Sequence, residues 1–339
     1  MRDPQTAIQR ILDANLDRAR EGLRIIEEWC RFGLDNRQLA AQCKEMRQEI
    51  ASWHSTELRM ARDTATDTGT TLSHPKEEQR NSIEHLLQAN LCRVQEATRV
   101  LEEYGKLYSP EMGTAFKKIR YQVYILESSL LIQFGQQQLK DIQLYLVTSK
   151  SETLFSTVEA ALQAGLKLVQ YRDKSTDDLV LIRNAEKLCQ LCHQYGALFI
   201  MNDRVDLAAA VNADGVHLGQ QDLPIAVARE ILGSGKIIGR STTNPQEMEL
   251  SIAQGADYIG VGPVYETPTK VGKAAAGLEY VRYAADNSPI PWFAIGGIDL
   301  SNINDVITAG AQRVAVVRAI MQADDPTVIT QQFLSLLKK

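Results

Sequence analysis

The stretch VQYRDKS, Val169 to Ser175, closes an apolar run with Arg172, Asp173 and Lys174 in quick succession. A buried strand finishes in charge where something at its end binds charge. Side chains alternate along a strand, so Gln170, Arg172 and Lys174 share one face while Val169, Tyr171 and Asp173 share the other. An arginine fork beside a compact lysine charge suits phosphate or diphosphate. Surface ion pairs with Asp173 or Asp177 are the plainer alternative. The next apolar run ends in Asn202, Asp203 and Arg204, and the one after it runs through HLGQQD to Asp222. Two carboxylates just past adjacent strands suit Mg²⁺, which takes one or two carboxylates plus substrate phosphate oxygens. Either Asp can instead cap a helix, Asp222 standing just before Leu223–Pro224. His217, inside its run, reads as a packed residue rather than a catalyst. Ser241 and Thr242 end the following run with hydroxyls placed to donate hydrogen bonds.

Further along, ETPTKVGKAAAG, Glu266 to Gly277, brings Thr267, Pro268, Thr269, Lys270 and Lys273 together with Gly272. This reads as a lid carrying donors and positive charge over an anion, or as a plain basic loop. Gly296 and Gly297 then precede Asp299 and a short helical segment. Glycine there lets backbone N–H groups approach a phosphate, and Val317–Arg318–Ala319 would complete that pocket. The residues thus suggest two anion sites in one mouth, a diphosphate with a metal and a monophosphate. No Ser-His-Asp set stands out. Such a site works by holding two phosphorylated molecules and stabilising a departing diphosphate.

These residues need elements to position them. From about residue 140, eight β-rich runs alternate with amphipathic segments, which implies a parallel sheet. Eight such units imply a closed (β/α)8 TIM barrel, whose active site lies where the strands end. An open doubly wound sheet is the runner-up, but LVTSKSE carries no glycine fingerprint after the first strand. The region before about residue 135 has helical spacing instead. It repeats itself: ANLDRAREGLRIIEE (Ala14 to Glu28) matches ANLCRVQEATRVLEE (Ala89 to Glu103). Each copy leads into a second helix, KEMRQEI or KKIRYQV, so two hairpins form an all-α bundle with approximate two-fold symmetry. The matched Asn, Arg and Glu residues read first as a solvated ion-pair face. The sharper reading gathers them into a polar site between hairpins. DTATDTGTTLSHPKEEQ, Asp63 to Gln79, reads as a long connection. The polar segment FGQQQLKDIQ contains the boundary, which gives a helical domain over 1–135 and a barrel domain over 140–339.

The bulk properties agree with two domains. At about 150 residues per domain, 339 residues suggest a pair. A net charge of −5 argues against non-specific nucleic-acid binding. The five cysteines are irregularly spaced and form no disulfide framework. Cys189 and Cys192 form C-x-x-C inside a helical pattern with no second pair at zinc spacing, so helix packing is expected. No signal-peptide pattern opens the chain, and no run of about 18 apolar residues occurs. The expected setting is the cytoplasm, without membrane contact, and a homo-oligomer is possible.

Taken in order, VQYRDK, the ND of IMNDR, DGVHLGQQD, GRST, GVGPVYETPTK, AIGGI and VAVVRAI resemble thiamine-phosphate synthases, over essentially all of Asp141 to Lys339. The resemblance implies a barrel that joins hydroxymethylpyrimidine diphosphate to hydroxyethylthiazole phosphate, with Mg²⁺ required. It implies that Gln170, Tyr171, Arg172, Asp173, Lys174 and Asn202 hold the pyrimidine diphosphate and that Asp203 and Asp222 bind Mg²⁺. Ser241 and Lys270 would contact the pyrimidine substrate and its diphosphate. Thr267, Pro268, Thr269, Gly297 and the Val317–Arg318 backbone would hold the thiazole phosphate. Two departures stand out: Arg318 occupies a place where many members carry Ser, and the helical region is an addition of the kind found on some cyanobacterial-type members. The resemblance assigns that region no role. The competing readings are a thiazole tautomerase of the same barrel superfamily and a non-catalytic barrel serving a helical binding module.

Overall fold

The computed structural model describes residues 3–63, 80, 82–266 and 275–338. The expected connection over Asp63 to Gln79 lies outside these residues beyond Asp63, and so does Thr267 to Lys273 of the expected lid. Two compact units emerge, Met1–Leu130 and Leu131–Lys339. The division falls inside a helix, α5 (Pro110–Lys140).

The first unit is helical: α1 (Pro4–Phe32), α2 (Arg37–Ser52), α3 (Thr56–Met60), α4 (Ile83–Tyr108) and the start of α5. Asp3 caps α1 by accepting from the Thr6 N–H, with Pro4 at the first position, and Ser82 caps α4 through the His85 N–H. Both are strong start signals. The apolar stripe Leu12, Leu16, Ala19, Leu23, Ile26 of α1 is buried, as is Leu87, Leu91, Val94, Leu101 of α4. The repeat shows in matched buried ion pairs. Glu27 accepts from Arg47 of α2 at 2.5 Å, and Glu102 accepts from Arg120 of α5 at 2.8 Å.

The second unit is a closed barrel of eight parallel strands in sequential order. They are β1 (Leu144–Val147), β2 (Leu168–Tyr171), β3 (Leu198–Asn202), β4 (Gly215–Leu218), β5 (Ile237–Thr242), β6 (Tyr258–Val261), β7 (Trp292–Ile295) and β8 (Val314–Val316). β8 closes on β1 with Leu144 opposite Val314. The helices around it include α6 (Leu154–Gln163), α7 (Asp178–Gln194), α8 (Val205–Ala210), α9 (Ile225–Leu232), α10 (Pro245–Ala253) and α11 (Gly277–Asn287). Alternation divides every strand. Val169, Tyr171, Met201, Ile238 and Ile259 pack in the outer core with the helices. Tyr145, Val147, Leu168, Ile200, Ile237, Tyr258 and Phe293 fill the interior, together with Leu139 from the end of α5 and Ile142. Cys189 and Cys192 are buried in α7, and burial raises both thiols, Cys189 to about 11.

Gly239 makes room inside the barrel for a tyrosine ring. A Cβ on Gly239 would lie 2.1 Å from the ring of Tyr258. Gly239→Ala is therefore expected to cost roughly 1–3 kcal/mol through overpacking, read as a lower urea midpoint. An unchanged midpoint would show that the Tyr258 ring gives way freely.

Candidate active site

The interior-facing positions nearest the strand ends form the floor of the barrel mouth. A cavity of about 70 Å³ there is lined by Tyr145, Gln170, Arg172, Asn202, His217, Ser241 and Tyr258, among others. Gln170 is buried, and its amide donates to the Tyr145 hydroxyl at 2.6 Å. Tyr145 and Tyr258 hydroxyls meet at 2.8 Å, Tyr258 meets His217 Nδ1 at 3.0 Å, and His217 Nε2 meets Ser241 Oγ at 2.9 Å. The Gln170 amide NH₂ only donates, so the Tyr145 hydroxyl accepts there; each later link joins groups that can either donate or accept. His217 is thus a relay within the floor with both ring nitrogens engaged, in keeping with its reading as a packed residue.

Arg172 follows β2 on the same face as Gln170. Its backbone N–H is held by Thr148 Oγ1 at 3.0 Å. Among the described residues its guanidinium enters no ion pair, so a free fork stands at the mouth. Lys174 reaches Asp203 Oδ2 at 2.7 Å. Tyr171, placed in the substrate set by resemblance, has its side chain elsewhere: it faces outward, is buried against the helices and accepts from Asn184 of α7 at 3.4 Å. Strand alternation is the reason. Asp173, in the same set, organises the turn by accepting from the Ser175 N–H at 2.9 Å and the Thr176 hydroxyl at 2.5 Å. Burial works to raise its carboxyl, but these bonds carry it below the ordinary range. Thr242, expected to offer a donor beside Ser241, is fully buried on the outer face and donates to the Gly260 carbonyl.

Neither Asp203 nor Asp222 caps a helix. The capping positions of α8 and α9 fall on Arg204 and Pro224. Asp203 holds a left-handed backbone at φ 60°, a costly conformation for a non-glycine residue and one that clusters at functional sites. Asp222 accepts from the Gly219 N–H at 2.6 Å and closes its loop. The two carboxylates press on each other. Burial first, and then Asp203, push the Asp222 carboxyl up. Burial also works to raise Asp203, yet Lys174 and the hydrogen bond from Asp222 leave it lowered. Two adjoining, part-buried carboxylates are a hard-oxygen donor pair that a divalent cation suits. No group of three or more His, Cys, Asp or Glu residues that could hold a metal occurs among the described residues. Further oxygens would have to come from substrate and water, which fits Mg²⁺ with a diphosphate. Arg204 does not join this site, because it is committed to Asp178 and Asp206.

Arg240 is a participant that sequence reading passed over, although it lies in the GRST motif. Its guanidinium is buried on the outer face of β5 and donates to the Leu223 carbonyl at 3.0 Å and the Gln220 carbonyl at 3.2 Å. Gln220 in turn donates to the Ser241 carbonyl at 2.6 Å. These three bonds fasten the loop that carries Asp222 onto the strand that carries Ser241. Arg240→Met is expected to lower Mg²⁺ affinity or turnover roughly 10–100-fold, the usual effect of removing an outer support of a metal ligand. Titration of activity against Mg²⁺ reads it, and a change under twofold would refute the clamp.

Beside this floor lies a larger cavity of about 410 Å³, lined by Pro263, Gly296, Gly297, Val317, Arg318 and Gln322, among others. It shares Ile295, Ala315 and Val317 with the floor cavity. Gly296 and Gly297 have φ of 109° and 68°, so glycine is required there. A Cβ on Gly297 would also come within 2.8 Å of Tyr265. Arg318 is exposed at the rim. Thr267, Pro268, Thr269 and Lys270 lie outside the described residues.

The comparisons with known proteins fall on both parts of the chain. A family profile described as thiamine monophosphate synthase matches residues 144–320, and one described as the ThiD2 family matches residues 10–129. A thiamine-phosphate synthase of Nostoc sp. (strain PCC 7120) is 69% identical, over 99% of this chain and 95% of its own length. That of Synechocystis sp. (strain PCC 6803) is 64% identical, over 98% and 97%. The solved structure of a thiamine phosphate pyrophosphorylase from Pyrococcus furiosus superposes with a TM-score of 0.54 at 36% identity, covering 59% of this chain and 97% of that one. A barrel with two adjoining cavities at the strand ends, together with this likeness along nearly the whole length, places the chain in the thiamine-phosphate synthase family.

Proposed function

We infer that the barrel joins hydroxymethylpyrimidine diphosphate to hydroxyethylthiazole phosphate, or to its carboxylated form, giving thiamine phosphate and diphosphate, with CO2 also released from the carboxylated form. The observation that carries this reading is the pair of cavities sharing one wall, a polar floor beside free Arg172 and a glycine-walled pocket. Two phosphorylated substrates held side by side gain the advantage of proximity. The bond from the pyrimidine methyl carbon to diphosphate breaks, and the thiazole nitrogen supplies the electron pair of the new C–N bond. Arg172, Lys174 and Lys270 stabilise the charge that grows on the departing diphosphate. Asn202 and the Ser241 hydroxyl orient the pyrimidine substrate with Gln170 on the floor. Asp203 and Asp222 are the residues that would hold Mg²⁺, which when bound supplies charge neutralisation to the diphosphate. Gly297 and the Val317–Arg318 backbone take the thiazole phosphate, and family resemblance assigns Thr267, Pro268 and Thr269 to the same substrate. No strong general base is needed, in keeping with the residues present.

The helical region over 1–135 accompanies the barrel domain over 140–339 as a separate folding unit. No described helix is long and apolar enough to cross a membrane. Soluble phosphorylated substrates suit the cytoplasm. The direct test measures diphosphate release by the purified chain. It should require Mg²⁺ and both substrates together. Thiazole isomerisation without diphosphate release would support the tautomerase instead.

A further inference from the structure

We propose that the Arg318 side chain is a specificity-determining residue of the barrel. Its guanidinium holds the phosphate charge of the thiazole substrate at the rim of the glycine-walled cavity. The inference rests on the proposed function, in which this cavity takes the thiazole phosphate on Gly297 and on the backbone of Val317–Arg318, with no part for the side chain. Among the described residues lining the cavity, the charged ones are Asp299 and Arg318. Asp299 is committed to its own turn, accepting from the Ser301 N–H at 2.8 Å and from the Ser301 hydroxyl at 2.5 Å. Arg318 is committed to nothing: among the described residues its guanidinium makes no ion pair and no hydrogen bond. Other arginines in or beside the barrel strands are spent. Arg204 is held by Asp178 and Asp206, Arg240 by the Leu223 and Gln220 carbonyls, and Arg313 by the Lys140 carbonyl. The two open forks at strand ends are Arg172 and Arg318, and each lines a different one of the two adjoining cavities.

The chemistry follows from what a guanidinium adds to backbone donors. A phosphate monoester presents several oxygens and up to two negative charges, which a planar fork meets with two parallel charge-assisted bonds. The serine that the family resemblance leads one to expect at this position offers one hydroxyl and no charge. Gln322 stands one turn beyond Arg318, at the end of the short helix Arg318–Met321, and lines the same cavity. Its backbone N–H donates to the Arg318 carbonyl at 3.0 Å, and its side-chain amide adds an uncharged donor beside the fork. A site that spends a charged fork on one group of its substrate discriminates against the analogue lacking that group. Arg318 is exposed at the rim, so its attraction for the phosphate is open to screening by salt, over a range of about 8 Å at physiological ionic strength. Binding of the thiazole phosphate should therefore be salt-sensitive through this one residue.

The test is steady-state kinetics of the full-length chain with Mg²⁺ and both substrates, at low and high ionic strength. Arg318→Ser should raise KM for the thiazole phosphate roughly tenfold, the scale of one charge-assisted bond at an exposed site. It should leave kcat within threefold and KM for the pyrimidine diphosphate within twofold. Arg318→Lys should recover part of the loss, because the charge returns without the fork. Added salt should raise the thiazole phosphate KM of the parent more than that of Arg318→Ser. Inhibition by the dephosphorylated thiazole should be the same in parent and variant, because that molecule offers the fork nothing to hold. Thermal unfolding checks the fold, which an exposed and unpaired side chain should leave intact. A parent that makes no thiamine phosphate would overturn the proposed function and this inference with it. An active parent whose thiazole phosphate KM stays within twofold in Arg318→Ser would overturn this inference alone. So would a change in inhibition by the dephosphorylated thiazole as large as the change in KM, which would mean that Arg318 shapes the cavity rather than reading the phosphate.

Discussion

Asp203→Asn should lower the rate of diphosphate release by at least about 10²-fold, the scale set by losing a group that acts on transition-state charge. The residual activity should respond only weakly to added Mg²⁺. Asparagine is the informative replacement because Asp203 lies at φ 60°, where Asn is tolerated and alanine would be strained. The backbone is therefore kept while one charge is lost. Two neighbours should respond. Lys174 loses the carboxylate it holds at 2.7 Å. Asp222 loses the like charge that helps raise its carboxyl, so the carboxyl should move back towards its ordinary range. Steady-state rates across Mg²⁺ concentration, with thermal unfolding as the fold control, decide it. Activity within twofold of the parent, with the same Mg²⁺ dependence, would rule out the proposed role of Asp203 in holding Mg²⁺ and revive the non-catalytic reading of the barrel.

Arg172→Met should cost roughly 10²–10³-fold in kcat/KM for the pyrimidine diphosphate, while KM for the thiazole phosphate stays within about twofold. The asymmetry rests on place. Arg172 lines the floor cavity and not the neighbouring glycine-walled one. Methionine keeps the aliphatic stem, so packing is retained and only the charged fork is lost. Arg172→Lys should recover part of the loss, because a point charge stabilises the leaving diphosphate but cannot make two parallel bonds. Equal losses for both substrates would mean that the two cavities do not correspond to two separate substrates. In that case the assignment of the floor to the pyrimidine would fail.

Much of the site could be read from local rules. Alternation along VQYRDK put Gln170 and Arg172 on the face that lines the mouth and turned Tyr171 outward. The same rule loses its force beyond Arg172, because β2 ends at Tyr171. Lys174 and Asp173 take their places from a turn, and only hydrogen bonds to Ser175 and Thr176 explain Asp173. Asp203 and Asp222 were visible as carboxylates at successive strand ends, but not as a mutually repelling pair. Their approach depends on the closure of the Gly219–Asp222 loop and on Arg240, which binds that loop from the far side of the strand. Tyr145 and Tyr258 gave no sequence signal as partners, being 113 positions apart. In the helical unit, identical spacing produced two outcomes. Arg24 and Arg99 pair along their helices, while Arg18 and Arg93 remain open across a groove.

The eight alternating units, hence the barrel and the end of it that faces substrate, were legible along the chain, as was the repeat that doubles the helical hairpin. These follow from hydrophobic period and from strand order, both short-range properties of the chain. Which inward side chains meet became visible only in the folded barrel. The stagger between neighbouring strands sets the Gln170–Tyr145–Tyr258–His217–Ser241 chain. The approach of α1 to α4 at Gly22 brings two copies of Asn, Arg and Glu around one groove. Contacts of this kind join residues far apart in the chain, and their geometry comes from packing rather than from any local pattern.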